Sequence, residues 1–410
     1  MPSPANLAAR PARVEIDRAA AQAVRRGHPW VWRNAVRRAP ASLHVGTPVS
    51  LHADDGTFAG RGLWDPESPI AVRVYTTSSS QQLDLALLTN NVARAIEARE
   101  TWFQASDTNA YRLCNGEGDR VPGVVLDRYA DVVVARFDGE AIVPWARALL
   151  EALWPQLEAR GMRSLVWRMP RRDKTELQGI AGEEAPSRVV VLERGMRMVV
   201  DLAHGQKTGA FLDQRENRRR VRSMSKGARV LNLFSYAGGF SCAAALGGAT
   251  HVTSVDIAHP AHAIAQETFR LNGLDPSTHT FVTSDVFSWL AQAHARNDRF
   301  SLVISDPPSF APSERTLPRA LSAYRKLHEA CIRVVARGGV FCAASCSSHV
   351  TMDAFLTTLD DQVTMGREFR VLETFGQPLD HSTTPGWPEG RYLKFVVLGE
   401  LQPRLSPGGG

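Results

Sequence analysis

Three aspartates and one cysteine in the second half of the chain, Asp256, Asp285, Asp306 and Cys346, are spaced as one site could use them. Each closes or directly follows a short run of strand character: HVTSV before Asp256, FVTS before Asp285, FSLVIS before Asp306 and GGVFCAAS before Cys346. A carboxylate at a strand end can accept two hydrogen bonds from a ribose diol. A thiolate can add to C6 of a pyrimidine and so turn C5, otherwise unactivated, into a nucleophile. That chemistry needs a site that lowers the thiol pKa. Asp306 is followed by Pro307 and Pro308, whose rings fix the backbone and leave nearby carbonyls free to frame a flat base. His349 is close enough in sequence to assist Cys346. Cys342, Cys346 and His349 lack the spacing and the fourth ligand of a zinc site, so no metal is expected. Cys342 reads as packed core, and Cys114, Cys242 and Cys331 as small buried hydrophobes.

The elements that must carry these groups begin at Val230. An apolar run at 230–234 reads as a buried parallel strand, followed by a small-residue turn at Ala237, Gly238 and Gly239. An Ala-rich segment then favours helix. Asp256 lies 18 residues beyond Gly238, at the end of a second strand. This is a βαβ unit with a glycine turn that lets a ligand approach the backbone. The full G-x-G-x-x-G fingerprint is absent, since Phe234 and Tyr236 occupy the loop and only Gly238 and Gly239 remain. A pyrophosphate cradle, and with it a dinucleotide oxidoreductase, is disfavoured. An adenosine ligand without pyrophosphate fits better, and S-adenosylmethionine is the common one. Beyond Asp256, helices near 260–272, up to about 296 and over 321–336 alternate with strands at 278–284, FSLVIS and GGVFCAASCS. The alternation predicts an α/β, Rossmann-like, doubly wound and mostly parallel sheet. Ligands of such sheets bind beyond the carboxyl ends of the strands, where all four candidate groups fall. Asp285 precedes a helical run and so also suits an N-cap.

The 410 residues carry a net charge of +6 and 44% hydrophobic residues, ordinary for a globular protein of two or three domains. No apolar run is long enough to span a bilayer, and the N-terminal stretch has no signal-peptide core. The five cysteines then read as reduced thiols in the cytoplasm. The sequence predicts a disordered tail at 1–10 and a small β-rich domain at 11–80. A linker at 76–82 leads to a central α/β domain at 83–190, the catalytic domain follows at 191–402, and a flexible tail covers 403–410. In the central domain, residues 112–137 read as two strands around a loop, and 171–179 as an exposed loop. Residues 205–229 hold eight basic side chains against Asp213 and Glu216. Such a cluster suits a polyanion, with RNA the natural candidate. Arg218, Arg219, Arg220 and Arg222 are its candidate phosphate ligands. Trp30 lies among Arg25, Arg26, Arg33, Arg37 and Arg38, an interleaving that suits RNA, although core packing also accounts for it.

Several separated motifs, in order, resemble one family over residues 12–400. They are GHPWVW (27–32), RLCNGEGDRVPGVVLDRY (112–129), HGQKTGAFLDQRENR (204–218), LNLFSYAGGFS (231–241), DPPSF (306–310), SCS (345–347) and PEGRYLK (388–394). The chain is similar to the bacterial 23S ribosomal RNA cytosine-5 methyltransferases with an N-terminal PUA domain. The resemblance implies a class I, S-adenosylmethionine-dependent enzyme that makes 5-methylcytosine. It implies cofactor contacts at Phe234, Tyr236, Gly238, Asp256 and Asp285, the nucleophile at Cys346, and Gln214 and Arg215 near the cofactor. Asp306 would serve both the cofactor pocket and the base. Many cytosine-5 enzymes carry Pro-Cys where this chain has Pro-Pro, which leaves Cys346 as the well-placed thiol. Two other readings stay open: N-methylation of a guanine or adenine, and a non-catalytic ribosome assembly factor. The target nucleotide, the base that removes the C5 proton and the oligomeric state, homodimer included, are not readable from sequence.

Overall fold

The computed structural model describes residues 11–170, 175–311 and 313–401. The tails expected at 1–10 and 403–410 lie outside these. The chain forms two units. The first comprises residues up to 195 together with 200–212 and 379–390; the second comprises 196–199, 213–378 and the remainder from 391. No helix among the described residues is long and apolar enough to cross a membrane.

In the first unit the alternating segments near the N-terminus become a six-stranded mixed sheet. Its strand order is Trp30–Trp32, Ile70–Thr76, Phe58–Trp64, Pro48–Ala53, Ala12–Ile16 and Val36–Arg38. The Ala-Asp-Asp-Gly signal makes the expected hairpin turn: Gly56 has φ +81° and its N–H donates to Ala53 O. Val14, Ile16, Leu51 and Val72 fill the core on one side. The helix at Arg18–Arg25, capped by Asp17, was not anticipated.

A five-stranded sheet follows, in the order Thr175–Gly182, Ser164–Pro170, Val132–Phe137, Val124–Tyr129 and Ala110–Asn115. Two expectations are corrected here. Residues 112–137 contain three strands, not two, because Ala130 adopts φ +57° and turns the chain between the second and the third. The polar stretch expected as a loop at 171–179 is a strand from Thr175 onward, paired antiparallel with Ser164–Pro170; residues 171–174 are not described. Gly118, in the Asn-Gly-Glu-Gly-Asp loop, has no room for a side chain, since a Cβ would fall 1.9 Å from Ser382 O. Buried Arg99 meets Asp119 through two 2.8 Å bonds and also donates to Asp380 O and Ser382 Oγ, which ties the same loop to residues 380–382.

The second unit is the doubly wound domain. Its seven strands are β1 (Arg229–Leu233), β2 (His251–Asp256), β3 (Thr280–Thr283), β4 (Phe300–Ser305), β5 (Val335–Ser345), β6 (Phe369–Phe375) and β7 (Lys394–Glu400). They run in the spatial order β3-β2-β1-β4-β5-β7-β6. Every neighbouring pair from β3 to β5 is parallel, and β7 is antiparallel to both of its neighbours. The central parallel strands β1 and β4 are largely buried and read as near-continuous apolar runs, whereas the edge strand β3 is partly exposed. Helices α1 (Arg215–Met224), α2 (Gly239–Leu246), α3 (His259–Leu271), α4 (Val286–Ala295) and α5 (Leu317–Val334) complete the unit. The strand order reverses between β1 and β4, which marks the crevice where such sheets bind ligands.

Candidate active site

The first wall of the crevice is the loop from β1 to α2. Phe234 and Tyr236 hold φ +56° and +46°, values that cost a non-glycine residue about 1–3 kcal/mol each. Neighbouring bonds hold the loop in this shape. Ser235 N donates to Val255 O at 3.1 Å, and Gly238 N to Ser235 O at 2.9 Å. Asp256 supplies the strongest clamp: Oδ2 accepts from Tyr236 N at 2.7 Å and Oδ1 from Ala258 N at 2.8 Å. Gly238 has φ +76°, and a Cβ there would lie 2.5 Å from Ala265 Cβ of α3, so only glycine fits both conformation and space. Below the loop, Asn232 donates to Ser241, which shares a 2.7 Å bond with Ser254; this buried chain fastens α2 to β1 and β2.

Ile257, immediately after Asp256, is 75% exposed. An apolar side chain beyond the strand end, beside a carboxylate whose oxygens retain lone pairs, suits an adenosine: a shelf for the base and acceptors for the ribose. Sequence reading passed over Ile257, although its apolar type just past a strand end was the available signal. Asp285 is exposed and caps α4, with Oδ1 accepting from Ser288 N at 2.9 Å.

The second wall comes from the Asp-Gln-Arg stretch. Asp213 accepts from Tyr392 OH at 2.7 Å. Gln214 is buried; its Nε2 donates to Asp306 Oδ2 at 3.0 Å while its Oε1 accepts from Asn217 at 2.7 Å. The structure thus joins Gln214 to Asp306 at the end of β4. Arg215 is buried beside Glu216. Pro307 is buried and Pro308 exposed, so the loop presents one ring outward.

Cys346 is the first residue after β5, whose Ala343 stands opposite Ser305 of β4. The ends of the two strands therefore lie side by side. Cys346 is half-buried, whereas Cys114, Cys242, Cys331 and Cys342 are fully buried. Burial pushes the thiols of Cys114, Cys331 and Cys342 above the usual cysteine range. Around Cys346, Tyr324 OH of α5 donates to Ser345 Oγ at 2.9 Å and lies 3.2 Å from Ser347 Oγ, which in turn bonds Ser309 Oγ at 2.8 Å. This hydroxyl network joins the Asp-Pro-Pro-Ser loop to the Ser-Cys-Ser turn. Lys394 and Tyr324 belong to this surrounding, and sequence reading assigned neither a role. No group of three His, Cys, Asp or Glu among the described residues could hold a metal ion.

The candidate RNA ligands divide. Arg218, expected as a phosphate ligand, is only 5% exposed, its Cδ 3.0 Å from where a Cβ on Gly239 would sit at the start of α2. Arg219 is exposed, although Glu216 lies 3.0 Å away. Arg220 lies over the Phe375 ring, 3.2 Å from its centroid, and Arg222 is half-exposed. Trp30 is half-buried in the first unit. Its indole donates to Glu117 at 2.8 Å and its ring meets Trp32 and Trp387 edge-on, so its indole N–H is already committed.

Comparison with known proteins agrees with this architecture. Residues 144–375 match the family described as S-adenosylmethionine-dependent methyltransferase, and residues 14–77 match a PUA-like domain. A Deinococcus radiodurans protein named ribosomal RNA large subunit methyltransferase is 39% identical over 97% of this chain and 99% of its own. An Escherichia coli protein named ribosomal RNA large subunit methyltransferase I is 34% identical over 90% of this chain and 94% of its own. The solved structure of SMU.776 complexed with SAH superposes with a TM-score of 0.84 at 25% identity, covering 95% of this chain and all of that one. The chain belongs to the S-adenosylmethionine-dependent methyltransferases, with the class I fold and a PUA-like domain at its N-terminal end.

Proposed function

We propose that this enzyme methylates C5 of a cytosine in the large-subunit, 23S ribosomal RNA through a transient covalent adduct at Cys346. The observation that carries the reading is the placement of Cys346, the one half-buried cysteine among four fully buried ones, at the strand end beside Asp306. The names of the two relatives, both ribosomal RNA large subunit methyltransferases, support this substrate class, and a cytoplasmic reaction goes with that reading. The cofactor supplies an electrophilic methyl group on a sulfonium. Asp256 and Asp285 would bind its ribose end, with Ile257 against the base and the Phe234–Gly238 loop around it.

The remaining steps belong to the chain's own side chains. The target cytosine leaves its stack and enters the crevice. The Cys346 thiolate forms a bond to C6 and pushes the C5–C6 electron pair onto C5, while Asp306, aimed by Gln214, supports the N3 and N4 edge. C5 uses that pair to take the methyl group. A base, water included, takes the C5 proton; the C–H electron pair re-forms the C5–C6 double bond, and the C6–S pair leaves with Cys346 as thiolate. Arg219 and Arg222 would contact phosphates, which positions RNA without reading its sequence.

Nucleoside mass spectrometry on ribosomal RNA from cells with and without the gene tests this. Loss of 5-methylcytosine, restored by wild type but not by Cys346→Ala, is expected. Loss of a methylated purine instead would transfer the assignment to N-methylation. No change in any methylated nucleoside would favour a non-catalytic role.

A further inference from the structure

We propose that Lys394 is a positioning residue for the Cys346 thiolate: its buried ammonium, tethered to the Ser347 carbonyl of the Ser-Cys-Ser turn, is a positive charge against which that thiolate forms. The inference rests on the assignment of Cys346 as nucleophile.

Lys394 opens β7 directly opposite Ser345, the residue before Cys346. Its Nζ donates to the carbonyl of Ser347, the residue after Cys346, and to Tyr392 O at 2.7 Å. The side chain is only 2% exposed. Both acceptors are neutral, and among the described residues no carboxylate lies within 4.0 Å of the ammonium. A buried charge without a counter-ion is costly, and here burial pushes the lysine down to about 8. The group that opposes this drop is Cys346, whose negative charge favours the protonated amine. By reciprocity the ammonium favours the thiolate. The thiol proton leaves to solvent, and no other bond changes in this step.

Other titratable groups stand on the elements around the turn. Tyr324, from α5, is pushed up by burial and stays a neutral phenol at physiological pH. Asp306, at the end of neighbouring β4, is engaged by Gln214. His349 is exposed in the same turn. Lys394 is a buried cation bonded to the turn from β7, and its two carbonyl acceptors keep it there through addition and elimination.

Cys346 is also the accessible thiol, so alkylation by iodoacetamide, read on its peptide by mass spectrometry, reports the thiolate without RNA. In the wild-type full chain the mid-point of the pH profile should lie at least about one unit below the ordinary cysteine value of about 8.5. Lys394→Gln should move it upward by about one unit and slow alkylation at neutral pH about tenfold. Lys394→Arg, which keeps the charge, should recover most of the shift. Calorimetric binding of S-adenosylhomocysteine checks that the variants fold. A wild-type mid-point at or above about 8.5 overturns the inference even if no variant folds. An unmoved mid-point in folded Lys394→Gln overturns it while leaving Cys346 as nucleophile. A methylated purine as product overturns the cytosine reading, and with it the role of Lys394 in that reaction.

Discussion

Replacing Asp256 by Asn tests whether the cofactor loop is held in a strained shape by one carboxylate. Both oxygens of Asp256 accept backbone N–H groups, from Tyr236 at 2.7 Å and Ala258 at 2.8 Å. Asparagine offers one acceptor oxygen, and its NH₂ would face the second N–H donor to donor. The substitution forfeits one charge-assisted bond, worth about 1.5–3 kcal/mol, and leaves a backbone donor unmatched. If the Tyr236 bond is the one lost, the φ +46° conformation has lost its principal restraint, and the residue can relax toward ordinary backbone. Restoring the bound shape then draws on binding free energy. At 1.4 kcal/mol per decade, affinity for S-adenosylhomocysteine should fall about 10- to 100-fold. Folding stability should fall by only about 1–3 kcal/mol, because Ser235 and Gly238 keep their own backbone bonds. Titration calorimetry alongside thermal unfolding separates the two effects. A folded Asp256→Asn enzyme that binds within about twofold of wild type would refute the clamp.

Two further outcomes follow from the geometry. Asp285→Ala should lose about 1 kcal/mol of stability along with cofactor affinity, whereas Asp285→Asn, still a cap, should lose affinity alone; unchanged affinity in both would make Asp285 a cap and nothing more. Glu400 accepts from Arg367, Arg337 and Gly338 N, and these bonds hold its carboxyl down at about 2. Because the folded value lies below the unfolded one near 4.5, its contribution of roughly 3 kcal/mol is complete above that pH and drains away as pH falls toward about 2. Between pH 4.5 and about 2 the unfolding free energy should therefore fall more steeply in wild type than in a Glu400→Gln variant; parallel curves would contradict the assignment.

The legible part of this protein was what one stretch of chain encodes for itself. β4 runs from Phe300 to Ser305, as the apolar run FSLVIS predicts, and Asp256 and Asp306 mark strand ends because a buried parallel strand stops where its apolar run stops. The strand at Thr175–Gly182 was missed because its polar composition carries no alternation; partnership with Ser164–Pro170 creates it. The burial of Arg218 was illegible for a related reason. The five arginines of α1 look equivalent in sequence, yet helical geometry buries Arg215 and Arg218, the latter against Gly239, and leaves Arg219 exposed. The surroundings of Cys346 were the least legible part. Tyr324 and Lys394 lie 22 residues before and 48 residues after it, on a helix and on an antiparallel strand whose insertion between β5 and β6 no local pattern announces.

That inserted strand also imposes an order on the chain's birth. During vectorial synthesis β5 emerges first, and with Cys346 at its tip it remains a sheet edge until residues 394–400 have been made. An unpaired edge is a template for association with other chains, so ribosomes stalled in this interval should release sticky products. The thiol also reaches its full electrostatic surroundings only when β7 docks. A nascent chain thus carries its cysteine before the lysine that would arm it.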